Sequence, residues 1–175
     1  MSKCSLVLPV MILAAFPPSG RAEDWKTFTS KEGRFSVRMP GSPQEQTQEV
    51  KTPDGKLSVH LLVSALAVDR VVYVSYSDYP PKAVEGKQKE FLDGTVKGNV
   101  TSLKGKVLSE KKIEVGQGKF PGRELLLDLP DKKQMYRSRI VLAGNRLFQV
   151  VAVGSEEFVK SKAVGEYLDS FKIGD

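Results

Sequence analysis

The sequence predicts an α+β domain in which a central antiparallel sheet is flanked by helices on both faces. Three observations support this prediction. Apolar and polar residues alternate with a period of two over most of residues 25–153, which is typical of strands. Short turn signals join the alternating segments in a way that favours hairpins. Two other stretches show the spacing of an amphipathic helix instead.

The first 22 residues form a predicted signal peptide. A cationic start precedes an uncharged apolar run at 4–16, which is too short to cross about 30 Å of hydrocarbon as a helix. Two prolines end the run, and small residues precede a cleavage position after Ala22. We therefore expect export to the periplasm or the extracellular space, leaving a single mature domain of residues 23–175 without a transmembrane segment. The alternatives are an interfacial anchor and a poorly packed terminal helix.

Composition excludes some classes of protein. The chain has 175 residues, of which 40% are hydrophobic and 27% charged, the balance of an ordinary globular domain. Its formal net charge of +6 falls by two when Lys3 and Arg21 leave with the signal peptide. This excess is far from the dense basic stripe of a nucleic-acid binder, so no nucleic-acid partner is expected. The single cysteine, Cys4, lies in the signal peptide, so the mature domain is predicted to lack disulfides.

The first half of the mature chain is predicted to be mostly strands. Alternation at 25–29 and 35–39 indicates two strands separated by a turn. Residues 45–52 are polar apart from Val50, which predicts an edge strand. The segment 57–68 is apolar on both of its faces, which indicates a strand inside the sheet, with 71–76 as its hairpin partner.

The second half begins with a predicted helix after Pro80 and Pro81. Its apolar stripe has helical spacing, and three glycines weaken it; the stripe is Val84, Gln88, Phe91, Leu92, Val96 and Val100. Strands are predicted at 106–115 and 119–129, followed by a hairpin at 134–142 and 146–153 that turns at Gly144-Asn145. Ser155 is the predicted N-cap of one final helix with an apolar face of Phe158, Tyr167, Leu168 and Phe171.

Several of these segments resemble the exported PsbP-like domain family. They are WKTF at 25–28, GRFSVRMP at 33–40, YSDYP at 76–80, the hairpin at 137–153 and YLDSF at 167–171. The resemblance implies a sandwich of a central antiparallel sheet between helical layers. It also implies a role in binding other proteins, since the family includes an extrinsic photosystem II subunit and, more distantly, a Ran-binding nuclear protein. The shared segments are core and turn residues, so no functional residue is carried over from the family.

Two groups of residues are candidates for chemistry. His60, the only histidine, lies within an apolar strand, where a structural role is favoured over catalysis or metal binding, and a histidine-rich zinc site is excluded. Asp78, with Tyr76 and Tyr79, precedes two prolines and is a candidate for a pocket where the sheet ends, although such aromatic turns are usually structural.

Further motifs are weaker. Glu124, Asp128 and Asp131 are the carboxylates that an acid/base pair would require, but their spacing does not specify one. Asn99 and Thr101 form a glycosylation sequon, which lies near the end of a predicted helix.

Basic residues are concentrated on the second hairpin and are predicted to bind a partner; they are Lys132, Lys133, Arg137 and Arg139, with Arg146 nearby. Another basic group comprises Lys104, Lys106, Lys111 and Lys112. A solvated strand face gives the same pattern, because lysines on edge strands prevent sheet-to-sheet aggregation.

We therefore expect an exported, non-catalytic binding or accessory domain that recognises another protein or an anionic surface. No catalytic residue, cofactor or metal site is predicted, and the oligomeric state is left open. One alternative is a small hydrolase or lyase that uses carboxylates near Asp78, which requires a deep cleft and a carboxyl group of raised pKa. Another is a structural subunit of an envelope assembly.

Overall fold

The computed structural model describes residues 24–52 and 55–174, so the predicted signal peptide lies outside the described residues. The elements, in chain order, are β1 (Trp25–Ser30), β2 (Phe35–Pro40), β3 (Gln44–Thr52), β4 (Gly55–Ala67), β5 (Arg70–Asp78), α1 (Pro81–Val84), α2 (Gln88–Leu103), β6 (Lys106–Val115), β7 (Phe120–Leu129), a 3₁₀ turn (Pro130–Lys132), β8 (Gln134–Ala143), β9 (Arg146–Gly154), α3 (Glu156–Val159), α4 (Lys162–Ser170) and β10 (Lys172–Ile173). This is an α+β fold.

Seven of the strands form one large sheet in the order β3-β4-β5-β9-β8-β7-β6. Every neighbouring pair is antiparallel, as the hairpin-like connections predicted. Strand β3 lies at one edge, which confirms the prediction from its polar sequence, and β4 lies inside the sheet between β3 and β5. Strand β6 forms the other edge.

The prediction of one continuous sheet is wrong for the first two strands. Strands β1 and β2 pair with each other, and β10 pairs with the free side of β2, to make a separate three-stranded sheet. Its inner residues, Phe35, Val37 and Met39, are almost completely buried. Alternation identifies a strand with one apolar face, but it does not specify which sheet receives that face.

The buried apolar residues form two clusters that share the strands of the large sheet. Along β9, Phe148 and Val150 belong to the first cluster, whereas Leu147 and Val151 belong to the second. Because successive strand residues point to opposite faces, this alternation separates the clusters. The first also contains residues of β2, α3 and α4, and the second contains residues of α1 and α2.

Both predicted helices are interrupted. The first is divided into α1 and α2 by a turn at Gly86, whose φ of +71° favours glycine, so Val84 belongs to the shorter helix. The last is divided into α3 and α4, because Ser161 caps a new helix through a hydrogen bond from the Val164 N–H. Ser155 caps α3 as predicted. Within residues 24–52 and 55–174, no helix has the length and apolar character needed to cross a bilayer.

Candidate functional site

His60 and Tyr76 meet at one end of the large sheet. They are cross-strand partners on β4 and β5, and pairs of this kind have their side chains on the same face. Their rings are stacked, with centroids 4.6 Å apart and an interplanar angle of 8°. His60 and Tyr76, which belong to two separate candidate groups in the sequence, therefore lie in one cluster.

Arg146 connects this cluster to the rest of the fold. Its Nε and Nη2 each donate a hydrogen bond of 2.6 Å to the carboxylate of Asp78. Its Nη1 donates to the carbonyl oxygens of Glu32 and Gly33, both at 3.0 Å, and its guanidinium lies 4.9 Å from the centre of the Tyr76 ring. The side chain is only 17% exposed. Arg146 thus holds the β1–β2 turn against the end of the large sheet.

His60 is held by polar contacts on one ring nitrogen. Its Nδ1 lies 3.1 Å from the Thr47 hydroxyl on β3 and 3.9 Å from a carboxylate oxygen of Glu32. Its Nε2 has no hydrogen-bond partner among the described residues. The histidine is therefore anchored to β3 through its Nδ1.

A cavity of about 260 Å³ lies between the β1–β2 turn and strands β3 to β5. Residues from all of these elements line it: Thr29, Ser30, Lys31, Glu32, Phe35, Glu45, Gln46, Thr47, His60, Leu61, Leu62 and Tyr76. We call it the turn cleft. Burial, followed by the charge of Glu32, raises the pKa of Tyr76, so its phenol is neutral and can donate a hydrogen bond.

Asp78 lies beside the turn cleft without lining it. The hydrogen bonds from Arg146 lower the pKa of Asp78, which keeps its carboxylate ionised at neutral pH. Tyr79 is elsewhere, because its ring packs edge-on against Phe91 of α2 at 4.7 Å. Of the three residues expected to line a pocket, Tyr76 therefore lines the turn cleft, Asp78 lies beside it, and the ring of Tyr79 packs against α2.

The other candidate carboxylates do not form a catalytic pair. Glu124 and Asp128 are four residues apart on β7, about 13 Å along a strand, and Asp131 lies in the 3₁₀ turn. The described residues contain no group of three or more histidine, cysteine or acidic side chains placed to bind a metal ion. Asn99 is buried and donates a 2.9 Å hydrogen bond to Gln149, so the sequon asparagine is inaccessible to a glycosylating enzyme.

Two of the predicted partner-binding residues, Arg137 and Arg139, share one carboxylate. Arg137 donates to Glu124 Oε1 at 2.9 Å, and Arg139 donates to Glu124 Oε2 at 2.9 Å. Arg139 also contacts Asp169 of α4 at 2.6 Å. Burial alone would raise the pKa of Glu124, but the hydrogen bonds from both arginines together lower it. The carboxylate thus stays charged although its side chain is only 18% exposed.

These residues lie on a surface that we call the open face. It consists of Lys111 of β6, Glu124 and Leu126 of β7, and Arg137 and Arg139 of β8, whose side chains lie on the side of the sheet opposite α2. Met135 and Val141, on the same face of β8, are buried in the first cluster and are not part of it. Helices α3 and α4 pack over β2, β8 and β9. Leu126 packs against the edge of the first cluster and is only partly buried.

The remaining predicted residues, Lys132 and Lys133, are exposed in the turn between β7 and β8. The antiparallel β6–β7 pairing places Lys104 and Lys106 at the same end of the sheet, whereas Lys111 and Lys112 of the same basic group lie further along β6. Val107 and Leu108 are 44% and 48% exposed beside them, at a bulge in β6, and a second cavity of about 260 Å³ adjoins Leu108 and Lys133.

Sequence reasoning missed the role of Arg146 and the contribution of Glu32, Glu45 and Thr47 to the turn cleft. In the sequence Arg146 is one more cation of the hairpin, whereas in the structure it binds Asp78, 68 residues earlier in the chain. Nothing in the spacing indicates that pair, since it depends on the register of β5 against β9, in which Asp78 lies opposite Arg146.

No protein-family model matches the chain, and no curated protein does. Among solved structures, the chain is similar to that of cyanobacterial PsbP (CyanoP) from Synechocystis sp. PCC 6803. The two superpose with a TM-score of 0.54 over 92% of this chain and 98% of that one, at 12% sequence identity. This agreement over nearly the whole of both chains shows that the protein has a PsbP-like fold.

Proposed function

We propose that this protein is an exported, non-catalytic binding or accessory domain, and that its partner docks on the open face and the adjoining Lys132–Lys133 turn. The observation that carries the proposal is the open face itself. A sheet surface with partly buried apolar side chains is normally covered by another element, whereas α3 and α4 pack mainly over β2, β8 and β9 and leave the β6 and β7 part of the open face without a helix.

The charges on this surface favour an acidic partner protein or another anionic surface. Glu124 is shared by two guanidinium groups, and Lys106, Lys111 and Lys133 form no ion pair with any residue in 24–52 or 55–174. Positive groups without partners attract an anionic surface over a range of about 8 Å at physiological salt. The exposed Leu108 beside them offers an apolar anchor.

Two further parts of the proposal concern architecture and location. Helices on both faces of the large sheet, as in an α/β/α sandwich, are supported by the alternation of strand residues between the two apolar clusters. Export is supported by the sequence of residues 1–22, with cleavage after Ala22. A role as a structural subunit of an envelope assembly would use the same open face.

The alternative of a hydrolase or lyase near Asp78 has less support. A general acid at neutral pH needs a carboxyl group of raised pKa, whereas the pKa of Asp78 is lowered by Arg146. Asp78 also does not line the adjoining cavity of about 260 Å³, which a catalytic carboxylate would have to do.

The proposal is tested by partner recovery with the purified mature domain. We expect the triple variant Lys111→Glu, Lys133→Glu, Leu108→Ser to recover at least about tenfold less partner from a native extract, because it removes the charge attraction of the open face and of the adjoining turn together with the apolar anchor. Lys82→Glu with Lys87→Glu is the matched control, since both lysines are exposed near α1, away from the open face. Equal recovery by the triple variant and the control would exclude the open face as the docking surface.

A further inference from the structure

The turn cleft carries a second inference that is independent of the open face. We infer that it is a binding site for a small, neutral, polyhydroxylated ligand of about the size of a monosaccharide. Its volume of about 260 Å³ is too small for a nucleotide-sized molecule and sufficient for a six-membered ring with its hydroxyl groups.

The cleft presents hydrogen-bonding groups that the fold does not use. His60 Nε2 and the Tyr76 hydroxyl have no hydrogen-bond partner among the described residues, although both side chains line the cavity. The Glu45 carboxylate, which lies on the same sheet face as His60 and Tyr76, likewise has no ion pair within the described part of the chain. A ligand with several hydroxyl groups can donate to the carboxylate and accept from the phenol at the same time.

The walls and the base of the cleft differ in chemistry. Thr29, Ser30 and Thr47 contribute hydroxyl groups to the walls, whereas Phe35 and Leu62 are buried apolar residues of the first cluster. A ring molecule whose carbon–hydrogen groups contact apolar residues while its hydroxyl groups contact the walls matches this division.

The charges around the cleft favour a neutral ligand over a cation. Glu32 and Glu45 line it, but Lys31 lines it as well and Arg146 lies against Tyr76. One face of the Tyr76 ring is stacked on His60, and the guanidinium of Arg146 also lies against the ring, so the site lacks the free aromatic surface that binds an ammonium group. Carboxylates that are balanced by nearby cations act as hydrogen-bond acceptors for hydroxyl groups.

The ligand site is also held in shape before a ligand arrives. Arg146 fixes the β1–β2 turn through the carbonyl oxygens of Glu32 and Gly33, and the Gly33 N–H donates to Ser30 Oγ at 3.0 Å. Thr47 holds the ring of His60. A preformed site loses less conformational entropy on binding, which allows weak but specific recognition of a small molecule.

The test is a nuclear magnetic resonance titration of the isotope-labelled mature domain with glucose, myo-inositol and ethanolammonium as separate probes. We expect saturable shifts of the backbone amides that line the cleft with at least one of the two neutral polyols, at a dissociation constant in the millimolar range, about the affinity of a ligand with so few atoms. Glu45→Gln removes a charged acceptor and should weaken that binding roughly tenfold.

Glu49→Gln is the matched control, because Glu49 is an exposed carboxylate on the same strand that pairs with Lys56 outside the cleft. It should bind the polyols as the parent protein does. The inference fails if neither polyol gives saturable shifts, if ethanolammonium alone saturates, or if both glutamine variants lose binding equally. None of these outcomes depends on a partner at the open face, so the proposed function is tested separately.

Discussion

Replacing Arg146 with lysine is expected to destabilise the fold although the charge is retained. The arginine makes four hydrogen bonds to Asp78 and to two backbone carbonyl groups of the β1–β2 turn. An ammonium group cannot reproduce the planar fork that spans these acceptors. Hydrogen bonds to a charged group contribute about 1.5–3 kcal/mol each, and Asp78 is half exposed, so losing two of them should cost about 2 kcal/mol.

Chemical denaturation followed by circular dichroism measures this loss, and a thermal melt should show a decrease of roughly 4–8 °C for a domain of this size. Arg38→Lys is the control, since Arg38 is exposed and its nearest carboxylate contact, to Glu166, is 3.6 Å. It should cost no more than about 0.5 kcal/mol. Equal losses for the two variants would refute the conclusion that Arg146 holds the turn against the large sheet.

Three other predictions concern the rest of the fold. The pKa of Glu124 in the folded protein lies below its usual 4.5. The ionised carboxylate therefore contributes fully to the stability of the fold above pH 4.5, and this contribution is lost as the pH falls through the lower folded-state pKa. Glu124→Gln should flatten the dependence of the unfolding free energy on pH below about 4.5, and an unchanged curve would contradict this. Gly122→Ala should lower the free energy of unfolding in a urea titration by about 2 kcal/mol or more, because the new Cβ would lie 2.5 Å from a backbone oxygen of β8. Gly165→Ala in α4 is the comparison, since its Cβ meets nothing within 4 Å and should raise the free energy of unfolding by up to about 1 kcal/mol. Tyr167→Phe removes a buried 2.7 Å hydrogen bond to a β5 carbonyl and should lower the unfolding free energy by about 1 kcal/mol in the same assay.

The large sheet is the part of the fold that the sequence predicts best. Its hairpins have strong local signals, such as Gly144 with its φ of +62° between β8 and β9. The polar sequence of β3 and the doubly apolar sequence of β4 also correspond to an edge and an interior position. Long-range pairing is different, because nothing in the alternation of β2 indicates that it meets β10 near the other end of the chain.

The site is less predictable, because it depends on register and not on motif. His60 and Tyr76 become neighbours because β4 and β5 pair in one register, and a shift of one residue would separate them by moving one to the other face. The bulge near Ala65 affects this register and has no clear signal in the sequence. The basic residues could be found by composition alone, but composition did not show that Arg137 and Arg139 are held by Glu124 while Lys132 and Lys133 are exposed.

The pairing of β10 with β2 has a consequence for the order of folding. Beside this pairing, the Arg38 N–H donates to Ser170 Oγ, 132 residues later, so the small sheet closes a very long loop of the domain. Closing such a loop is costly in chain entropy, and contacts of this range form slowly. The hairpins of the large sheet should therefore assemble first, leaving β2 unpaired along one side until the last residues arrive. Molecules caught at that stage would carry an open strand edge, which makes the interval before closure the period of greatest vulnerability to aggregation.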